Sequence, residues 1–294
     1  MSLDAEKRSS VQQDPEPEVE VHPDYNDHES DLILVSGDGR RFRVHSLIMK
    51  LASDVFKTMI DAAPVQVSSE EPIPVQENGD IIKDLLDVIY PNKLPFRYAS
   101  PTFEHIRQVC YAAEKYEMPG VLQMMQLFLR TMIENVPPLL AFALASRYEW
   151  PEALRLISTA TLKLDLYCPQ SIKDLHFIPT HWLLKLMELH RNRRKLLVAS
   201  LDWKSSRETM TPYSIAQSSW AVLKHRISEE MERKSDGSSI GEESFWLRAE
   251  FEDLWHMTCE ECHETYSDST NVIDQHKLKT QVIRARDSLP KSIS

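Results

Sequence analysis

The sequence has little glycine, little cysteine and no long apolar run, and each shortage excludes a class of protein. Only 6 of its 294 residues are glycine, which argues against a glycine-rich phosphate-binding loop and against an all-β fold with many tight turns. Four cysteines in a chain of this length do not form a disulfide framework, so we expect a reducing environment, either cytoplasmic or nuclear. No apolar run approaches the ~18–20 residues of a membrane helix, and the polar start MSLDAEKRSS lacks the apolar core of a secretory signal.

Acidic residues and proline are abundant. The formal net charge of −11 at pH 7 predicts an electrostatic field that repels nucleic acid and anionic lipid, so we expect neither as a partner. Hydrophobic residues make up 42% of the chain, enough for a substantial core, and the 17 prolines suit helices that begin or end at proline. No carboxylate pair, nucleophile or glycine loop is arranged as catalysis requires, so we expect no catalytic site and no cofactor.

The first half of the chain predicts a hairpin followed by helices. The stretch DPEPEVEVHPDYNDHES alternates acidic residues and proline, which predicts a disordered acidic tail over residues 1–27. The apolar run Leu32–Val35, the turn residues SGDG and the alternating run Arg41–Val44 then predict a β-hairpin. Two helices should follow, with Ser46 and Ser53 as their N-caps.

Further on, proline and glycine separate the predicted elements. PIPVQE predicts a short strand that its prolines confine to the edge of a sheet. A helix should begin at Gly79 and end before Pro91, the pair Ser100-Pro101 should begin the next, and another should follow Pro119-Gly120.

This order of elements, together with two sequence motifs, resembles the BTB/POZ domain. The first motif is DLILVSGDGRRFRVHSLIMKLASDVFKTMI, with an Asp opening the first strand, an aromatic-x-apolar-His pattern in the second and a Ser-x-x-Phe helix. The second is CYAAEKYEMPGVLQMMQLFL. The resemblance extends from Asp31 to about Glu134 and implies a BTB/POZ domain over residues 28–135.

The resemblance implies an α+β fold, with a small mixed sheet and packed helices, followed by an all-α extension. Residues 136–205 resemble the BACK-like helical extension that follows such domains in fungal-type BTB proteins. Residues 206–294 predict a C-terminal helical region that contains the polar loop ERKSDGSSIGEES and a last helix running from SFWLRAEF to ECHETY.

A BTB/POZ domain implies a non-enzymatic protein–protein interaction or oligomerisation module whose partners are other proteins, including copies of itself. A small sheet with five helices has more apolar helix faces than one core can cover, so we expect some of these faces to bind a partner. The residues expected at that surface are Leu47, Ile48, Leu51, Val55, Phe56 and Met59.

The family also suggests an alternative function, because many members are substrate adaptors that dock to the cullin scaffold of ubiquitin ligases. Their docking motif has an apolar residue two positions before a glutamate, and here it would fall at Ser68-Ser69-Glu70, where serine replaces the apolar residue. Members that form strand-exchanged dimers carry an apolar helix before the first strand, and in this chain the acidic tail occupies that place.

The neighbouring residues His45 and Ser46 raise the question of a hydrolase. A serine nucleophile and its histidine base usually come from distant segments that converge in space, and no Gly-x-Ser-x-Gly elbow is present. We therefore interpret His45 as a packed, hydrogen-bonded side chain and Ser46 as a helix cap.

The string CEECH, from Cys259 to His263, admits several interpretations. It matches the motif for haem attachment, which requires export, and it contains a Cys-x-x-Cys pair, whose redox form sits at a strand-to-helix junction. Thiolates at this spacing can also share a zinc ion, which makes a zinc-stabilised regulatory protein the second alternative. The zinc candidates are Cys259 and Cys262, with His256, His263, His276 or His225 to complete the site. The favoured interpretation is two ordinary reduced cysteines and no metal.

The basic string RNRRK, Arg191 to Lys195, has the composition of a nuclear address or a nucleic-acid contact. The chain is acidic and no aromatic residues interleave with these charges, so we interpret the string as a solvated helix face.

Metal analysis of the purified protein distinguishes the interpretations of Cys259 and Cys262. We expect less than one equivalent of zinc, unchanged by Cys259→Ser, because the chain supplies no second Cys-x-x-Cys pair to close a four-ligand site. Cys168→Ser is the matched control. One equivalent of zinc that Cys259→Ser removes and Cys168→Ser retains would establish the metal site instead.

Overall fold

The computed structural model describes residues 21–62, 72–91, 93, 95–96, 101–201, 214–255 and 275–293. The chain divides into two compact units, Met1–Met125 and Gln126–Ser294. Within the described residues, no helix is both long enough and apolar enough to span a membrane.

A four-stranded mixed sheet lies in the first unit. Its strands are β1 (Val21–Asn26), β2 (Leu32–Val35), β3 (Arg41–Val44) and β4 (Ile73–Pro74), in the order β1-β3-β2-β4. Strands β2 and β3 are antiparallel, whereas β1 and β4 lie parallel to their neighbours at the two edges. The predicted hairpin and the predicted edge strand at PIPVQE are both confirmed.

The hairpin turn depends on one glycine and one aspartate. Gly39 has a φ of 87°, a left-handed conformation that glycine adopts without steric cost. The Asp38 carboxylate accepts hydrogen bonds from the Ser36 hydroxyl at 2.5 Å and from the backbone N–H of Gly79 at 2.8 Å. The turn is thereby joined to the start of the helix that follows β4.

Strand β1 corrects the predicted tail, because regular structure begins at Val21 rather than after residue 27. Tyr25 in this strand is buried, with its ring 5.9 Å from that of Phe42, and its hydroxyl donates a hydrogen bond to Asp87 at 2.6 Å. The composition of the segment concealed the strand, because Pro23 and its acidic neighbours are tolerated on an edge strand that pairs on one side only. Residues 1–20 lie outside the described part of the chain.

Five helices accompany the sheet, and the last of them crosses into the second unit. They are α1 (Ser46–Ala52), α2 (Asp54–Ala62), α3 (Gly79–Ile89), α4 (Phe103–Lys115) and α5 (Pro119–Thr131). Their core-facing residues are largely the ones that helical spacing predicts, and α4 buries Ile106, Val109, Cys110 and Ala113. Helix α4 begins later than predicted because Thr102, not Ser100, caps it by accepting the N–H of His105.

Ser46 is not the N-cap of α1, although it lies at the predicted place. It is the first helical residue, and its hydroxyl and backbone N–H both donate to the Asp31 carboxylate, at 2.5 and 2.7 Å. Asp31 precedes β2 while Ser46 follows β3, and the pairing of Leu32 with Val44 brings the two together. The carboxylate therefore takes the capping role that the sequence assigned to the serine.

The second unit is helical. Its helices are α6 (Pro138–Arg147), α7 (Pro151–Thr161), α8 (Pro169–Leu175), α9 (Thr180–Ser200), α10 (Ser214–Arg233), α11 (Glu243–Trp246), α12 (Glu252–Trp255) and α13 (Gln275–Asp287). Leu197 and Leu201, at the end of α9, share one buried cluster with Leu223, Trp246 and Val282. The division predicted at residue 205/206 is therefore not a boundary between separate cores.

The C-terminal region differs from its prediction in two respects. Two short helices, α11 and α12, replace the first part of the single long helix expected there, and residues 256–274 lie outside the description. Helix α13 was not predicted, because only Leu278 and Val282 of its residues are buried and the charged majority conceals the spacing.

The basic string also differs from its interpretation as a solvated face. Arg193 is only 3% exposed, and its guanidinium donates to the backbone carbonyls of Ser235 at 2.7 Å and Pro290 at 2.5 Å. Burial lowers the pKa of Arg193. The arginine is a structural cross-link because carbonyl groups from two distant segments converge on it.

Removing the Asp31 carboxylate tests its capping role. Asp31→Ala should lower the free energy of unfolding by about 1 kcal/mol at neutral pH, measured by urea denaturation. Partial burial opposes ionisation, but the hydrogen bonds from Ser46 outweigh it and lower the pKa of Asp31. The stabilisation is therefore complete above the unfolded-state pKa of about 4 and is lost as the pH falls through the lower folded-state pKa.

Glu29→Ala is the control, because it removes an exposed carboxylate two residues away and should leave the unfolding curve unchanged. Equal stability of Asp31→Ala and the unmodified protein at neutral pH would contradict the capping role.

Candidate functional site

Helices α1 and α2 form a pair joined by one residue, Ser53. The Ser53 N–H donates to the carbonyl of Met49 at the end of α1, while the Ser53 hydroxyl accepts the N–H of Phe56 at 3.0 Å in the first turn of α2. The same hydroxyl donates to the carbonyl of Tyr116, which follows α4. Ser53 thus caps α2, as predicted, and also fixes the helix pair to the body of the first unit.

The inner side of this pair consists of Met49 and Phe56, each 1% exposed. The Phe56 ring stacks on Tyr116 with centroids 4.9 Å apart and planes inclined by 28°. Phe56 is therefore a core residue, which corrects its prediction as part of a partner-binding surface. Met49 was not predicted as a core residue, because in a seven-residue helix the one inward position cannot be recognised from periodicity.

The other residues predicted at the partner-binding surface lie on the outer side of the helix pair. Leu47 is 67% exposed, Leu51 is 80% exposed and Met59 is 38% exposed, while Ile48 and Val55 are half-buried. Leu47 and Leu51 are four positions apart on α1 and so lie on the same helix face. We define the α1–α2 surface as these residues: Leu47, Ile48, Leu51, Val55 and Met59.

An ion pair joins the two helices at their exposed side. Lys50 on α1 lies 2.5 Å from the Asp61 carboxylate on α2. Such an exposed pair adds little stability, but it links α1 to the last turn of α2. The Lys50–Asp61 pair and Ser53 therefore both restrict the angle between α1 and α2.

His45 and Ser46 precede this surface, and their side chains have separate partners. The Ser46 hydroxyl is directed to Asp31, while His45 Nδ1 lies 3.2 Å from the Tyr90 hydroxyl and Nε2 lies 3.8 Å from Asp27. A nucleophile and its base must share a hydrogen bond, and this pair does not. The structure agrees with the interpretation that both residues serve the architecture.

The zinc candidates Cys259, Cys262, His256 and His263 lie outside the described residues. Among the described residues, no group of three His, Cys, Asp or Glu side chains is placed to hold a metal ion. Cys110 is buried, and burial raises the pKa of its thiol to about 12, which leaves it protonated and unreactive.

Comparison with known protein families supports the same region. Residues 24–133 match the family model of the BTB/POZ domain, which covers β1 from Asp24 onward, the rest of the sheet and helices α1 to α5. The chain contains a BTB/POZ domain, which is a protein–protein interaction module, and a helical region follows it. No curated protein matches the chain as a relative.

The match confirms the predicted family and the α+β fold with a helical extension. The match begins at Asp24, whereas the resemblance recognised from the sequence begins at Asp31. Asp24 lies inside the segment that was predicted as a tail.

Paired alanine substitutions distinguish the inner and outer sides of the helix pair. Phe56→Ala should lower the free energy of unfolding by about 3–5 kcal/mol, because it leaves a cavity beside Tyr116. Leu51→Ala should change it by no more than about 0.5 kcal/mol, because its side chain is already in solvent. Thermal or urea unfolding of the two variants measures the difference, and a loss in Leu51→Ala as large as that in Phe56→Ala would contradict the assignment of sides.

Proposed function

We propose that this chain is a non-catalytic interaction and oligomerisation protein whose BTB/POZ domain binds protein partners, including a second copy of itself, through the α1–α2 surface. The observation that carries the proposal is the exposure of Leu47 and Leu51, two leucines on one face of α1 that are each at least two-thirds in solvent. Two such side chains side by side mark an interaction surface more often than a solitary exposed leucine does.

The fixed geometry of the surface favours this function. Ser53 and the Asp31–Ser46 hydrogen bonds hold both ends of α1, so little conformational entropy is lost when a partner binds. Complete burial of each leucine would contribute about 2 kcal/mol. Neither the small loss of entropy nor the burial of the leucines requires a cofactor or a catalytic group.

The cullin-adaptor function is a more specific form of the same proposal. Its support is the domain class, since the expected docking motif at Ser68-Ser69-Glu70 lies outside the described residues and departs from the apolar pattern. A purified cullin N-terminal domain that binds the chain at micromolar concentration would favour this form, and failure to bind would leave self-association and other protein partners.

Sedimentation over a concentration series tests the proposal. The unmodified chain should exceed its monomer mass of 34.1 kDa as concentration rises, and Leu47→Asp with Leu51→Asp should restore the monomer, because two carboxylates cannot be desolvated in an apolar interface. Leu184→Asp is the matched control, since Leu184 is 62% exposed in the second unit.

A chain that is monomeric at every concentration, or a double variant that assembles as the unmodified chain does, would contradict self-association through this surface. Loss of assembly in Leu184→Asp as well would contradict the assignment of self-association to the α1–α2 surface.

A further inference from the structure

The second unit contains a cavity of about 470 Å³ that the BTB/POZ assignment does not explain. It lies between α9, the end of α10 and the segment that follows α7. Its volume falls within the roughly 300–1,000 Å³ of pockets that bind small ligands or side chains.

One part of the cavity wall is apolar. Leu166 and Met231 are buried, and Met187 is half-buried on α9. Two of these three side chains are methionines, whose unbranched thioethers adjust to differently shaped apolar groups. This part can therefore accept a bulky apolar side chain of more than one type.

The mouth of the cavity is aromatic and cationic. Tyr167 is 61% exposed, and two arginines of the RNRRK string, Arg191 and Arg194, line the cavity from α9. Arg194 pairs with Glu232 at 2.9 Å, whereas Arg191 is exposed and forms no ion pair within the described ranges. Among the lining residues, two arginines and one glutamate sum to a charge of +1, on a chain whose net charge is −11.

Histidine contributes no charge to the cavity at neutral pH. His190 lines it and is buried, with Nε2 3.2 Å from the Thr161 hydroxyl. Burial, reinforced by the nearby Arg193, lowers the pKa of His190 to about 4. The imidazole is therefore neutral, and the positive charge at the mouth comes from the arginines.

The walls of the cavity are held in place before any ligand binds. Arg193, on the same turns of α9, donates to the carbonyl of Ser235, which lines the opposite wall after α10. A cavity whose walls are cross-linked in this way is preformed, which lowers the entropic cost of binding.

We propose that this cavity binds a short segment of a partner protein in which a bulky apolar side chain stands next to an acidic residue. The apolar side chain enters between Leu166, Met187 and Met231 and packs against Tyr167, while the neighbouring carboxylate pairs with Arg191. Arginine suits this role because its planar guanidinium binds a carboxylate through two parallel hydrogen bonds.

Nucleic acid is a poorer match to the same residues. Of the cavity's arginines, only Arg191 has no ion-pair partner within the described part of the chain, whereas nucleic-acid binding depends on neutralising several phosphates. The acidic chain as a whole repels a polyanion, but a single carboxylate on a short peptide is repelled far less.

Fluorescence polarisation with the full chain tests the proposal. The probes are end-blocked, fluorescein-labelled pentapeptides, each with one Leu, Phe or Trp beside one Asp between Ser and Gly flanks. At least one should bind saturably, and replacing its apolar residue by Ser or its Asp by Asn should each weaken binding about tenfold or more. Arg191→Ala should produce the same loss as the Asp-to-Asn peptide, and binding should weaken at high salt.

Lys195→Ala is the matched control, because it removes an equal charge from an exposed position of the same helix outside the cavity. It should retain binding, as should Leu47→Asp with Leu51→Asp, so failure of the α1–α2 surface and failure of this site are distinguishable. The Arg191 and Lys195 variants should keep the same circular dichroism and unfolding midpoint as the unmodified chain.

Three results would overturn the proposal. The first is the absence of saturable binding by every peptide, and the second is equal loss in Arg191→Ala and Lys195→Ala. The third is competition by single-stranded DNA together with insensitivity to the apolar residue, which would identify a general anion site instead of a peptide site.

Discussion

Internal hydrogen bonds fix the junction of β3, α1 and α2 within the BTB/POZ domain. The Asp31 carboxylate receives both donors of Ser46, the Tyr90 hydroxyl receives the N–H of His45, and the Ser53 hydroxyl links the start of α2 to the carbonyl of Tyr116. Because buried or half-buried backbone groups are costly when left unpaired, these bonds specify where both helices begin. The outward direction of the leucines on α1 follows from that placement.

These hydrogen bonds also determine which apolar side chains of α1 and α2 are buried. The composition of the two helices does not determine it. Between Ser46 and Ile60 nearly every turn carries apolar residues, yet only Met49 and Phe56 are fully enclosed. A seven-residue helix and a nine-residue helix with different axes do not share one periodic face. The tertiary bonds at Ser53 therefore decide which apolar side chains enter the core.

Sequence reasoning predicted the elements whose signals are local. The hairpin, the proline-limited helices and the Ser53 cap follow from turn residues, proline positions and a capping hydroxyl, all within a few residues of the structure they specify. The motifs of the BTB/POZ domain and its α+β fold were likewise recognisable in the order of these elements. Of the predicted surface residues, all except Phe56 remain at least partly exposed.

What the sequence could not predict depends on distant partners. Strand β1 is defined by Tyr25 meeting Phe42 and Asp87, and the role of Arg193 is defined by carbonyl groups more than forty residues away. In both cases the local composition, acidic in one and basic in the other, indicated solvent exposure. Long-range hydrogen bonds bury Tyr25 and Arg193 instead. The cavity beside Arg191 is likewise lined by residues from three separate segments.

Hydrogen–deuterium exchange of the full chain, compared between dilute and concentrated samples, tests whether α1 and α2 form a rigid surface through which the chain self-associates. Backbone amides of α1 and α2 should gain protection on concentration, while those of β2 and β3 should exchange slowly in both samples because their hydrogen bonds are internal. Unchanged exchange in α1 and α2, or rapid exchange across the β3–α1 junction in the dilute sample, would contradict a fixed apolar surface held outward by the Asp31, Tyr90 and Ser53 hydrogen bonds.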